Sequence, residues 1–378
     1  MQGIADFFPL PTTNDYLIGG VALLCAVVSW YIHFRFYLKV KTTPVEAEVN
    51  LPPVSVVICA HNEIDNLSQY LYLWIEQDYP TFEVIVVDDG STDGTANWIG
   101  PLIPGTPGLK YVHLDADYIK MHGKKIALTL GFKAAKYKHF LLTDADCKPA
   151  SNHWLREMAA PFAHGADVVL GVGKLSKTNG FLGGLIRYEF LQTAMSYLGY
   201  AAAGKPYMGV GRNLAYSREV YDKVGGFSSH HHIIAGDDDL FVQSVANEKN
   251  TAVVVSPGAF TYSLSKQTFR EYLRQKNRHL WVGKFYKKSV KRMLSVYPVS
   301  QFLFWSALIV WFALASSFTY PLALMLLKLV PEWVIVAGRC RILKIKKLAA
   351  FYPFWNLFYS YWYILLGIRA FFSKKPLW

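Results

Sequence analysis

Hydrophobic and polar positions along the chain fall into distinct regimes. An apolar run starts at Tyr16 and extends through His33 and Arg35 to Leu38, about the length a helix needs to cross a bilayer. From about Leu51 to about Pro257, short apolar runs alternate with helix-patterned stretches. "VSVVIC" is a continuous, β-branched-rich run, as in a strand covered on both faces. After it, Asn62 is the expected N-cap of a helix whose apolar positions Ile64, Leu67, Leu71, Trp74 and Ile75 share one face. "FEVIVV", "LKYVHL" and "KHFLLT" read as three further strands, with helical stretches between several of them. This alternation predicts βαβ units and a mostly parallel sheet, with ligands at the carboxyl ends of the strands.

Between Pro298 and Lys328 lies a 29-residue run almost without charge. At about 1.5 Å per residue it is too long for one untilted span, which favours a helical hairpin turning near Ser316 to Pro321. Its second arm reaches Ala337 and must tolerate Lys328, Pro331 and Glu332. "RCRILKIKK" follows, with five basic residues in nine. The last apolar segment, Ala349 to Phe372, has Lys346, Lys347, Lys374 and Lys375 at its ends. It either spans or lies in the interface with its many aromatics. The expected organisation is a non-cytoplasmic segment at 1–15 and an anchor at 16–38, then an α/β domain at 51–257. Interfacial helices at 258–298, a transmembrane hairpin at 299–337 and a basic loop with a membrane-associated helix at 338–378 follow.

Composition sharpens this picture. The chain has 378 residues, 52% hydrophobic and only 17% charged, with a formal net charge of +12. The apolar excess sits at the two ends, and the basic residues crowd beside it. That is the pattern of cytoplasmic flanks in an integral membrane protein, and it makes nucleic-acid binding the weaker explanation of the charge. Met1 to Asp15 contains Asp6 and Asp15 and no Lys or Arg, so an uncleaved anchor is expected rather than a signal peptide. The basic "HFRFYLKVK" then places the α/β domain in the cytoplasm, as in a bacterial inner-membrane protein. Cys25, Cys59, Cys147 and Cys340 are scattered, which argues against a disulfide framework or a zinc site.

Polar clusters follow the apolar runs in a fixed order: "CAHNE", "VVDDGSTD", "HGKK", "LLTDADC" and "AGDDDLF". Asp144 and Asp146, one residue apart after a short strand, suit a hard divalent cation and, through it, a diphosphate. His230, His231 and His232 tempt a metal reading, but consecutive side chains rarely converge on one ion. A polar loop is expected there.

These clusters, in this order, resemble glycosyltransferase family 2, whose members have the GT-A fold; the likeness covers roughly Pro53 to Trp281. The resemblance implies an α/β, Rossmann-like catalytic domain flanked by transmembrane helices. It places Ala60, Glu63, Asp88 and Asp89 at the base and ribose of a nucleotide-sugar donor, uridine-type by preference, with Lys124 and Asp144 also at the donor. Asp146, with Asp144, would hold Mg²⁺ or Mn²⁺. "AGDDDLF" matches the family's GED-type motif, with Asp237 replacing glutamate and Asp238 as general base, and Asp239 competes for that role. Inversion requires such a carboxylate on the face opposite the leaving diphosphate. Gly211 and Asn213 in "GVGRN" match segments lining the sugar and acceptor sites. "RQKNRHLW" resembles the QxxRW motif of processive members. Gln275 and Arg278 match, His279 stands where tryptophan is expected, and Trp281 comes two residues later.

The expected function is transfer of one sugar from a nucleotide sugar to a lipid-linked or cell-envelope glycan acceptor, with membrane lipids as further partners. A processive polysaccharide synthase and a non-catalytic scaffold that binds nucleotide sugars or lipids are the alternatives.

Overall fold

The computed structural model describes residues 11–44, 50–115, 123–176, 178–233 and 235–372. The first ten residues, the histidine of "HGKK", and Lys374 and Lys375 lie outside them.

The chain opens with helix α1 (Thr13–Arg35) and enters the sheet through β1 (Val54–Ala60), α2 (Ile64–Ile75), β2 (Phe82–Asp88), the short α3 (Thr95–Ile99) and β3 (Leu109–His113). Then come α4 (Lys124–Ala134), β4 (His139–Asp144), β5 (Cys147–Pro149), α5 (Trp154–Ala163), β6 (Val168–Leu170) and β7 (Gly173–Leu175). A long helix α6 (Gly180–Ala202) precedes β8 (Leu214–Ser217), α7 (Arg218–Lys223), α8 (Asp239–Val245), β9 (Thr251–Val253) and β10 (Thr261–Ser263). The chain closes with α9 (Phe269–Val282), α10 (Lys288–Leu314), α11 (Thr319–Ile342) and α12 (Tyr352–Phe372).

The main sheet has the order β3-β2-β1-β4-β8-β6-β9. The first four strands pair in parallel, and β8 runs antiparallel to both of its neighbours. Among the four parallel strands β1 and β2 are the most buried, as their unbroken apolar runs require. A smaller sheet, β5-β10-β7, lies beyond the carboxyl end of β4. All four expected strands form. The expected N-cap does not: Asn62 adopts a left-handed backbone, φ 56°, and α2 starts two residues later. Its first amide, that of Ile64, donates instead to Asp93 Oδ2 at 2.9 Å, so the cap comes from the neighbouring loop.

Among the described residues, three helical segments are long and apolar enough to cross a membrane: Thr13–Lys39, Lys288–Leu314 and Thr319–Ile342. The hairpin turns between Leu314 and Thr319, so Pro321 already lies inside α11. Trp311 Nε1 and Ser316 Oγ both donate to Asp15 in the first turn of α1, which sets the hairpin turn beside the start of the anchor. α10 begins at Lys288, ten residues ahead of the apolar run, and carries Pro298 internally. A proline is tolerated there because neighbouring groups re-satisfy the freed backbone. α11 continues past Ala337 to Ile342.

Its awkward charges are accommodated by pairing. Lys328 and Glu332 are both fully buried, 2.9 Å apart and one helical turn from each other. Gln301 accepts from Lys328 at 2.9 Å, while Ser29 and Tyr352 donate to Glu332. Three other helices thus satisfy one ion pair.

α6 is buried on nearly every side, because it lies between the sheet and the long apolar helices. At Gly199 a side-chain carbon would sit 2.7 Å from the Phe36 carbonyl oxygen. Glycine therefore sets how closely α6 packs against the C-terminal end of α1.

Candidate active site

Two loops form the first wall of the site, and their polar side chains stitch them together. Asn62 N donates to Ser91 Oγ at 2.8 Å, and Asn62 Oδ1 accepts from Thr92 N at 2.8 Å. His61 Nδ1 lies 2.6 Å from the Asp89 carbonyl oxygen, and Asp89 N donates to Ala60 O at 2.8 Å. The loops after β1 and β2 thus become one shelf, with Ala60, His61, Glu63 and Asp89 lining a cleft. Burial raises the Glu63 carboxyl, and the charges of Asp146 and Asp144 add to that, against a lowering hydrogen bond from Asn66.

Asp88 and Asp89 are neighbours with different environments. Asp88 is fully buried and accepts from Tyr111 OH at 2.6 Å, with His113 Nδ1 at 3.2 Å and Ser91 N at 2.9 Å. Its carboxylate braces the shelf from behind rather than lining the cleft. Asp89 Oδ2 accepts from Gly123 N at 3.0 Å, which ties the shelf to the start of α4.

Lys124, the first residue of α4, sits at the centre. Its Nζ lies 2.5 Å from Asp144 and 3.3 Å from Asp237. It therefore links the end of β4 to the "GDDD" loop, 93 residues later in sequence. Gly211 completes the junction. A side-chain carbon there would stand 2.8 Å from Lys124 Nζ and 3.3 Å from Asp237, so a larger residue would displace the ammonium group. The Gly211 amide also donates to Asp238 Oδ2 at 2.9 Å.

The three consecutive aspartates have separate partners. Asp238 Oδ1 caps Asp239 N at 2.8 Å, and Asp239 accepts from Leu240 N at 2.7 Å and Tyr286 OH at 2.6 Å. Burial raises the Asp237 carboxyl, but the Lys124 charge and hydrogen bond, a backbone hydrogen bond and the Lys125 charge together hold it below the ordinary range. Burial and the Asp237 charge raise Asp238. Burial and the Asp238 charge push Asp239 up to about 7. Both candidates for the base line the cleft with both oxygens engaged: Asp239 accepts from Leu240 N and Tyr286 OH, and Asp238 from the backbone amides of Asp239 and Gly211.

Lys125 was not among the residues singled out from sequence. It is buried and donates to three carbonyl oxygens, of His230, Ile233 and Ala235, at 2.7, 2.9 and 2.8 Å. Burial lowers its pKa to about 8. The second lysine of "HGKK" was its only signal, and nothing local distinguishes a clamp from a solvated lysine. Arg212 was also missed. It lines the cleft and donates from Nη2 to Gly173 O at 2.6 Å.

Carboxylate oxygens of Asp144 and Asp146 and the sulfur of Cys147 lie within 4.8 Å of one another. Burial, then Asp144's charge, raises the Asp146 carboxyl, so a second negative charge there is disfavoured unless a cation balances it. Burial raises the Cys147 thiol well above its usual value, keeping it a donor to Asp146 at 3.3 Å rather than a thiolate ligand. The remaining donors are carboxylate oxygens, which fit Mg²⁺ or Mn²⁺. Lys124 already holds Asp144, which leaves Asp146 the more available ligand.

The acceptor-side residues divide. Gln275 and Arg278 of α9 line the same cleft as Asp146 and Asp238. Asn213 does not: it is fully buried, accepting from Trp154 Nε1 and donating to Val172 O and Ala259 O. Trp281 packs edge-on against Phe285, 4.9 Å between ring centres, away from the cleft lining. Both expectations failed for one reason: apolar and amide side chains are recruited by packing that sequence spacing does not reveal. The three histidines do not converge on one ion: His230 is buried against Ser229, while His231 and His232 are exposed.

Residues 55–225 match the family model described as glycosyl transferase family 2. The chain is 27% identical over 190 residues to glycosyltransferase AglE of Haloferax volcanii, covering 50% of this chain and 59% of that protein. It is 26% identical over 126 residues to a poly-beta-1,6-N-acetyl-D-glucosamine synthase of Staphylococcus epidermidis, covering 32% and 29%. It therefore spans less than two thirds of the length of these relatives. The mannosyltransferase PcManGT from Pyrobaculum calidifontis, solved with GDP-Man and Mn²⁺, shares the fold, with a TM-score of 0.58 at 17% identity over 96% of this chain and 99% of that one. Sheet order, ordered acidic loops and family match together identify residues 55–225 as a glycosyl transferase family 2 domain, and the chain has the GT-A fold.

Proposed function

We propose that the chain transfers a single sugar, with inversion, from a nucleotide-sugar donor to a hydroxyl of a lipid-linked or cell-envelope glycan acceptor. The observation that carries this is the convergence of Asp144, Asp146, Lys124, Asp237 and Asp238 on one cleft from distant parts of the chain. The shelf of Ala60, Glu63 and Asp89 receives the nucleoside. Bound Mg²⁺ or Mn²⁺ would neutralise the departing diphosphate. Arg278 adds hydrogen bonds to the same group. Asp238 accepts the acceptor's hydroxyl proton as that oxygen bonds to the anomeric carbon, while the anomeric C–O bond to phosphate breaks with its electron pair. Lys124 and Gly211 hold Asp237 and Asp238 in register. The neighbour's GDP-Man and Mn²⁺ support a nucleotide sugar and a divalent cation. Basic residues at Lys39, Lys41 and "RCRILKIKK" favour a cytoplasmic catalytic domain.

In Asp238→Asn, donor turnover should fall by about 10²–10⁴, the usual contribution of a positioned base, with donor binding retained. Unchanged turnover would overturn the assignment. Polymer synthesis, as named for the Staphylococcus relative, is the second reading. The displacement of Trp281 from the cleft counts against it, and product length with labelled donor separates the two.

A further inference from the structure

Arg212 lines the cleft between two residues whose places are fixed. On one side, Gly211 N is bonded to Asp238. On the other, Asn213 is locked in the core by Trp154, Val172 and Ala259. The backbone around Arg212 is thus anchored at the base and at the core, and its side chain shares the cleft lining with Asp146 and Arg278.

The guanidinium is held without being used up. Nη2 donates to Gly173 O at 2.6 Å. The stem packs so closely there that a side-chain carbon on Gly173 would stand 2.5 Å from Nε and 2.7 Å from Cγ. Nε is buried and has no hydrogen-bond partner among the described residues. Folded proteins leave few buried donors unpaired, and a guanidinium has five N–H groups to place. Gly173 opens β7, in the small sheet whose β5 begins at Cys147, directly after Asp146. Burial and then the Asp144 charge raise the Asp146 carboxyl, while the Cys147 hydrogen bond and then the Arg212 charge, ahead of Lys124, oppose them. Arg212 therefore lies within electrostatic reach of Asp146 and one residue from the amide that holds Asp238.

We propose that Arg212 grips the donor's β-phosphate, the phosphate bonded to the sugar. This rests on the glycosyl-transfer reading and gives that site a further substrate contact. A donor laid with its nucleoside on the shelf and its anomeric carbon before Asp238 puts this phosphate between Asp146 and Gly211, where the Arg212 side chain is. As the acceptor oxygen bonds to the anomeric carbon, its proton passes to Asp238. The anomeric C–O bond to phosphate breaks, and its electron pair stays on the phosphate oxygen. Negative charge on that group grows as the bond breaks, so a guanidinium fixed beforehand binds it more strongly in the transition state than in the ground state. Paired N–H groups in one plane match two phosphate oxygens, which an ammonium group cannot do. Arg278 comes from α9 and Arg212 from the turn before β8, so the two act from separate elements.

The test uses the full chain in phosphatidylcholine vesicles with Mg²⁺. It reads equilibrium binding of UDP, UMP, GDP and GMP, and turnover of a panel of UDP- and GDP-sugars. Arg212→Met should weaken binding of the preferred diphosphate about tenfold or more, the usual loss of a hydrogen bond to a charged group. The matching monophosphate, which lacks the gripped group, should bind as it does to the parent. Turnover should fall further, by about 10²–10³, the usual cost of one donor aimed at transition-state charge. Arg212→Lys keeps the charge but not the fork, and should recover part of the loss. Gly173→Ala, which pushes the guanidinium aside without removing it, should reproduce the selective loss of diphosphate binding. Retained monophosphate binding shows that each variant is folded. Undiminished diphosphate binding and turnover in Arg212→Met overturn the inference. So does an equal loss for monophosphate and diphosphate, which would mark Arg212 as a structural residue only. A parent that binds none of the nucleotides and consumes no donor would instead sink the glycosyl-transfer reading, and the inference with it.

Discussion

At the scale of residues, the site is organised by buried cations among carboxylates and carbonyls. Lys125 holds the segment before Asp237 through three carbonyls, so its loss should let the base drift rather than remove it. Lys125→Met is expected to lower kcat on the order of 100-fold, the cost of small misplacements near reacting atoms, with the donor KM little changed. Lys125→Arg should recover part of the loss, and steady-state kinetics on the three proteins checks it. Asp239 bears on stability. Its carboxyl titrates near 7 in the fold, against about 3.9 when unfolded. The folded state therefore favours the protonated form, and the associated stability is full below about pH 4 and lost as pH rises through 7. Asp239→Asn should melt higher than the parent at pH 8 and equally at pH 4, by thermal unfolding in detergent.

At the scale of elements, α11 shows how a spanning helix carries two charges. Removing one partner leaves the other uncompensated in a low dielectric. Glu332→Gln should destabilise by about 3–5 kcal/mol. Replacing both charges, Lys328→Met with Glu332→Leu, should restore much of that, because an apolar pair leaves no buried charge unpaired. Melting of the two purified proteins decides it. The length of the nearly uncharged run revealed α11 but left its charges as a liability. The satisfying groups, Ser29, Gln301 and Tyr352, come from α1, α10 and α12. α6 escaped detection for a related reason. It is apolar on almost every face, so it lacks the one-sided pattern that marks a surface helix.

At the scale of the whole molecule, membrane helices and catalytic domain form one continuous body joined by the cleft. Its topology predicts that the hairpin turn and the catalytic face lie on opposite sides of the bilayer. Ser317→Cys should react with an impermeant maleimide in intact cells, and Lys346→Cys only after permeabilisation. Reaction of both in intact cells would refute the orientation. A chelator should abolish donor turnover in purified membranes, with Mn²⁺ or Mg²⁺ restoring it.

Local pattern was enough for the strands, the long apolar helices and the order of acidic loops. Strand and span signals depend on neighbours a few residues away, and every such neighbour is written in the chain. Partnership was not legible in the same way. Asp88 and Asp89 read as equals, yet Tyr111 draws one behind the sheet while Gly123 holds the other at the cleft. Asn213 matched a motif but is consumed by Trp154, Val172 and Ala259. A side chain's role depends on which distant groups share its surroundings, and folding chooses those by burying apolar surface and satisfying the polar atoms buried with it.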